Sequence, residues 1–205
     1  MAIDTHSPSR RTVLAGLMAG SAALAIAGPA AALDTAQARS LVNSVVDEIN
    51  SVINSGGTLN QMIPQFEHLF NQYADVNIIA QSSMGVAYRS ATPAQRQAYI
   101  EAFKGYLARK YGKRFREFIG GKIAVTGASE IKSGIYQVTS TAKLRGQSPF
   151  ELDWLVSNKS GRNLFFNLII DGVNMLATER TEIGGLLDRN GGNVDKLIAT
   201  LKRAG

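Results

Sequence analysis

The glycine pair Gly120-Gly121 divides this chain into two parts with different periodicities, and no single class of secondary structure accommodates both. Before it, large apolar residues recur every three or four positions, the repeat of one helix face. After it they alternate, the repeat of a half-buried strand. Helices first and strands afterwards, without interleaving, predict an α+β fold, with helices packed on one side of a curved, four-stranded antiparallel sheet. No internal repeat or low-complexity linker interrupts residues 33–205, so one domain is expected there.

Four helices are predicted before the glycine pair. Ala38, Leu41, Val45, Ile49 and Val52 place the first between Thr35 and Asn54, stopped by Gly56-Gly57. Met62, Phe66, Leu69, Phe70 and Tyr73 place the second over Leu59 to Tyr73, with Pro64 near its start. Asp75 caps a short third, Val76 to Met84, which Gly85 ends. The fourth, Thr92 to Phe118, has the strongest pattern. Thr92, Pro93 and Gln95 form a helix-start signature, and Tyr99, Phe103, Tyr106, Leu107, Tyr111, Phe115 and Phe118 make an aromatic stripe down one face. The opposite face is mostly basic, with Arg109, Lys110, Lys113, Arg114 and Arg116, and Lys122 beyond.

The four strands are marked by Ile123 and Val125, then Tyr136, Val138, Ala142 and Leu144, then Phe150, Leu152, Trp154 and Val156, and finally Leu164, Phe166, Leu168 and Ile170. Short connections, including Asn158-Lys159-Ser160-Gly161, imply a meander with one apolar face. Two helices close the chain, Glu179 to Asp188 and Val194 to Arg203, the second capped by Asn193.

The amino terminus reads as an export signal. Arg10 and Arg11 precede the diluted apolar run Val13 to Ala27, Pro29 breaks it, and Ala30-Ala31-Ala32 offers small residues for cleavage after Ala32. Ser9-Arg10-Arg11-Thr12-Val13-Leu14 is similar to a twin-arginine signal, an ordinary secretory signal being the other reading. Either route places residues 33–205 in the periplasm. With no cysteine among 205 residues, disulfides, thiolate metal sites and cysteine nucleophiles are excluded. The net charge of +6 suits an acidic partner or an anionic membrane surface; no nucleic-acid-binding pattern accompanies it, and none is expected as a partner.

Little in the sequence suggests catalysis. His68 is the one histidine after residue 32, too few for a metal set. No serine lies in a nucleophile-elbow pattern, and no glycine pair sits in a phosphate-binding loop. Glu151 and Asp153 share a strand face, which an acid/base pair could use, although such carboxylates usually face solvent. The more conspicuous feature is apolar surface on two elements expected to face each other. The helical stripe offers Tyr99, Phe103, Tyr106, Leu107, Tyr111 and Phe115, and the sheet offers Phe150, Leu152, Trp154, Phe166, Leu168 and Ile170. These residues either fill one another or leave a cavity for an apolar ligand.

The run Tyr73-Ala74-Asp75, Ile79-Ala80, and Met84-Gly85-Val86-Ala87-Tyr88-Arg89-Ser90-Ala91-Thr92-Pro93-Ala94-Gln95-Arg96, with Phe103 and Tyr111, resembles the MlaC family of toluene-tolerance auxiliary proteins. Asp171-Gly172-Val173-Asn174-Met175, Arg180, Ile183, Leu186 and Leu187 extend the resemblance into the tail. It implies an NTF2-like or cystatin-like cone with an apolar cavity, and a monomeric periplasmic carrier, not an enzyme, that takes a phospholipid by its acyl chains as cargo and needs no cofactor. The carrier would pass lipid between an outer-membrane lipoprotein complex and an inner-membrane ABC transporter complex, touching membrane surfaces transiently. Exposing a methylene to water costs about 0.8 kcal/mol, so a lipid with roughly thirty of them needs such cover. A cavity of about 1,000 Å³ would be required for both chains. The twelve wall residues above are then the expected lipid-binding set, with Arg109, Lys110, Lys113, Arg114 and Arg116 orienting the carrier toward partners or anionic lipid. A hopanoid or other polycyclic lipid as cargo, a small enzyme on an NTF2-like fold using Asp153 or Glu151, and a ligand-free adaptor remain as alternatives.

Overall fold

The computed structural model describes residues 33–205, except for the side chains at 114–116. The export signal expected over residues 1–32 lies outside the described residues. Among the described residues the chain forms seven α-helices and one five-stranded antiparallel sheet of order β1-β2-β3-β4-β5. The helices are α1 Thr35–Ile53, α2 Leu59–Tyr73, α3 Val76–Met84, α4 Val86–Ser90, α5 Pro93–Arg114, α6 Met175–Arg189 and α7 Val194–Leu201. The strands are β1 Lys122–Lys132, β2 Ile135–Lys143, β3 Phe150–Ser157, β4 Leu164–Ile170 and β5 Val173–Asn174.

Local chemistry accounts for most of these boundaries. Asp34 and Gln37 exchange bonds in a capping box that starts α1, and Thr92 with Gln95 do the same for α5. The long basic helix ends sooner than its pattern suggested, tightening into a 3-10 turn over Phe115–Phe118 before Gly120 turns the chain with φ 73°. Asn174 caps α6 by accepting from the Ala177 amide, so this helix begins a turn before Glu179. The fifth strand, absent from the sequence reading, exists because Asp171 and Gly172 both take positive φ, at 48° and 79°. That two-residue turn folds Val173 and Asn174 back on Ile170 and Ile169. Two residues are too few to show an alternation.

Strand β2 alternates as expected, burying Tyr136, Val138 and Ala142, with Ser140 buried among them. Strand β4 does not keep one phase. Its pairing with β3 slips between Leu155 and Val156, so Val156 faces Phe165 while Leu155 faces Asn167. This bulge places Phe165 and Phe166 on the same cavity wall, although they are sequence neighbours.

The helix layer differs from the expected arrangement. Helix α5 packs chiefly on α2, α7 and α3 rather than on the sheet. The apolar sheet face is covered instead by α1 over β1, β2 and β3, and by α6 and α3 over β4. Asn50 of α1 pins this contact, donating to the Ile123 carbonyl at 2.9 Å and accepting from its amide at 3.0 Å. The Asp75 amide donates to the Phe165 carbonyl at 2.8 Å and ties the α2–α3 junction to β4.

Candidate functional site

A cavity of about 250 Å³ lies between the helices and the sheet and is partly open to solvent. Its wall is overwhelmingly apolar. Val45 and Ile49 come from α1, Phe66, Leu69 and Phe70 from α2, Ile79 from α3, and Leu176 from α6. The sheet contributes Phe150, Leu152, Trp154, Phe165, Phe166, Leu168 and Ile170. Trp154 meets Phe165 edge-on with ring centroids 5.3 Å apart, and its indole N–H donates to the buried Ser140 hydroxyl at 3.0 Å. The one polar atom of this large ring is thereby satisfied without facing the cavity. At the rim, Phe118 and Phe150 make an edge contact at 6.0 Å beside the exposed Glu117 and Gln147.

All six sheet residues expected to line a cavity stand on this wall, whereas the helical six are divided. Leu107 and Tyr111 line it. Tyr99, Phe103 and Tyr106 do not; they are 0%, 0% and 2% exposed and pack among the helices. Tyr99 stacks on Phe103 with centroids 5.6 Å apart and shares a 2.8 Å hydrogen bond with Ser83 of α3. The correction follows from the layer order: α5 presents its stripe to other helices, so only its last two turns reach the cavity. The Phe115 side chain lies outside the described residues. The alternation signal could not find the α1, α2 and α3 wall residues as a group, because helical spacing marks a buried face without saying which neighbour it meets. The cavity is also about a quarter of the expected volume, because Phe66, Trp154 and Phe165 occupy much of the space between the layers.

The basic face of α5 is also engaged differently from the docking role read from sequence. Arg109 donates to the Leu201 carbonyl at 2.6 Å and the Ala204 carbonyl at 2.9 Å, closing the end of α7. Lys113 donates to Gly205. Lys110 turns into a cluster with α6, bonding Glu179 Oε1 at 2.7 Å, Glu182 Oε2 at 2.5 Å and the Tyr106 hydroxyl at 3.1 Å. The C-terminal helices fold against this face and take up its charges. The Arg114 and Arg116 side chains lie outside the described residues.

The Tyr106 hydroxyl donates to Glu182 Oε1 at 2.6 Å, and the Tyr111 hydroxyl donates to Glu179 Oε1. Burial, with the Glu182 hydrogen bond, pushes the Tyr106 pKa far up. Burial also raises that of Tyr99, against the smaller opposing effect of Ser83. For Glu182, burial disfavours the charge, but hydrogen bonds from Lys110 and Tyr106 and the nearby cations outweigh it and hold its pKa below the usual value.

Groups suited to catalysis are placed elsewhere. Glu151 is exposed, and Asp153 accepts from the Thr139 hydroxyl at 2.7 Å on the sheet face away from the cavity. His68 is exposed on α2, and no cluster suited to a metal ion occurs among the described residues.

The family profile described as MlaC protein matches residues 39–203. The chain belongs to the MlaC family. The matched span takes in every element that lines the cavity. Among MlaC-family relatives, the chain is similar to the toluene tolerance protein ttg2D of Pseudomonas putida, 26% identical over 68% of this chain and 65% of that protein. It is also similar to the intermembrane phospholipid transport system binding protein MlaC of Haemophilus influenzae, 23% identical over 64% of this chain and 63% of that protein. The alignments thus span a little under two thirds of the length of each of these relatives. The fold matches that of a phospholipid-binding protein from Ralstonia solanacearum solved in complex with a phospholipid, with TM-score 0.69 and 23% identity over 81% of this chain and 95% of that one.

Proposed function

We propose that this MlaC-family chain is a periplasmic phospholipid carrier whose cavity covers acyl chain during transfer between membranes. The observation that carries the proposal is the cavity: an apolar space between two layers, partly open to solvent, lined by Leu152, Trp154, Phe165, Phe166 and Leu168. Apolar walls of this kind cover methylenes at about 0.8 kcal/mol each and ask nothing of the cargo's chemistry beyond its shape. At roughly 30 Å³ per methylene-sized unit, 250 Å³ accommodates on the order of eight of them. A longer chain therefore requires side chains at the open rim, such as Phe118, Phe150 and Met175, to move aside.

The names of the relatives from Pseudomonas putida and Haemophilus influenzae and the bound phospholipid of the Ralstonia solanacearum protein support this reading. By the same resemblance the carrier would exchange cargo with an inner-membrane ABC transporter complex and an outer-membrane lipoprotein complex. Among the described residues no helix is long and apolar enough to cross a membrane. The twelve sequence-expected lining residues are proposed as lipid contacts only where they stand on the cavity wall, which leaves Tyr99, Phe103 and Tyr106 to hold the helices together.

The test is native mass spectrometry and lipid extraction of the chain purified without detergent. About one lipid per protein is expected, and a protein that neither retains lipid nor takes it from vesicles would overturn the proposal. Leu168→Glu introduces a carboxylate on the cavity wall and should lower bound lipid on the order of tenfold, because burying that charge costs more than several methylenes return.

A further inference from the structure

The cavity wall carries one polar group whose hydrogen bonding is incomplete. Glu179 stands on α6 one turn, about 6 Å along the helix, after the half-buried Met175, and both residues line the cavity. It is 2% exposed. Its Oε1 accepts from Lys110 at 2.7 Å and from the Tyr111 hydroxyl. Its Oε2 is buried and has no hydrogen-bond partner among the described residues.

An ionised carboxylate divides its charge between both oxygens, so each needs a donor when water is excluded. The neighbouring donors are already committed. Lys110 has three N–H bonds and uses them on Glu179 Oε1, Glu182 Oε2 and the Tyr106 oxygen. The Tyr106 proton goes to Glu182 and the Tyr111 proton to Glu179 Oε1. With Lys110 against two carboxylates, the cluster favours a cation or a neutral donor over a phosphate.

We propose that Glu179 Oε2 is the acceptor for a hydrogen-bond donor carried by the head group of the bound lipid, an ammonium or a hydroxyl. The proposal rests on the lipid-carrier reading above, with acyl chain in the cavity. It makes the carrier selective: the apolar wall accepts any chain, and Glu179 prefers lipids that bring N–H or O–H to its Oε2.

The experiment incubates the purified chain with vesicles holding equal amounts of phosphatidylethanolamine, phosphatidylglycerol and phosphatidylcholine with identical acyl chains, then extracts the lipid from the re-isolated protein. Phosphatidylcholine serves as the donor-free reference. Enrichment over it on the order of tenfold is expected, the worth of one hydrogen bond to a charged group. Enrichment of the ethanolamine lipid alone assigns an ammonium, of the glycerol lipid alone a hydroxyl, and of both a site that takes either. Glu179→Leu should lose the enrichment in whatever lipid it binds, and Glu179→Gln, nearly isosteric, should weaken it if the leucine variant does not fold. Equal loading of all three lipids by the unaltered chain, or enrichment that survives in Glu179→Leu, overturns the inference and leaves the carrier reading intact. Absence of any bound lipid overturns the carrier reading itself.

Discussion

Lys110 holds three acceptors at once, and two of them are carboxylates on α6. Its removal would strand Glu179, whose side chain is only 3% exposed, without its cation. Lys110→Met is therefore expected to cost about 3 kcal/mol, measurable by urea denaturation, since an uncompensated buried charge outweighs the apolar gain. Tyr73 shows a second dependence on one contact. Its hydroxyl donates to Glu48, and that bond, followed by burial and the Glu48 charge, pushes its pKa up to about 12. In the unfolded chain it returns to about 10, so as pH rises the unfolded state loses the proton first. The stability this pair contributes is complete below about pH 10 and is lost between about 10 and 12. Melting temperatures over that range should fall more steeply for the unaltered chain than for Tyr73→Phe; parallel curves would show that the pair contributes nothing.

Helix α5 owes its place to a close approach as well as to its stripe. A Cβ on Gly112 would stand 2.9 Å from the Ile63 Cγ1 methylene of α2, too close for two carbons, so the β-branched Ile63 side chain would have to shift. Gly112→Ala should therefore destabilise by about 1–3 kcal/mol despite the better helix propensity of alanine. The same element separates stability from cargo. Phe103→Ala empties a fully buried site among the helices and should cost about 3–5 kcal/mol while the folded fraction keeps its lipid. A fall in lipid per folded protein would place Phe103 on the cargo path. The strong pattern over Thr92 to Phe118 made this helix and its buried face legible in the sequence. Its partner was not legible, because a helical stripe records burial and carries no address. In β4 the bulge at Phe165 and Phe166 is likewise invisible to an alternation count, which assigned only Phe166 to the inner face.

Across residues 33–205, the helix layer and the sheet leave an apolar cavity between them. Trp154, the single tryptophan of the chain, stands on the cavity wall, so its fluorescence should shift toward longer wavelength when lipid is stripped and water enters. An unchanged spectrum on delipidation would place the cargo elsewhere. The sequence by itself determined the class of fold, the six sheet residues that stand on the wall, and the family, since these depend on local periodicity, turn residues and motifs read within a few positions. The tertiary structure alone decided that α1, α3 and α6 cover the sheet in place of α5, and that Arg109 and Lys110 turn inward. It alone brought Glu179, at the start of the helix as read from sequence, beside Lys110, sixty-nine residues earlier, at the edge of an apolar cavity. The physical reason is that periodicity specifies which face of an element avoids water, whereas the choice of covering surface is settled by the competition of all such faces for one core.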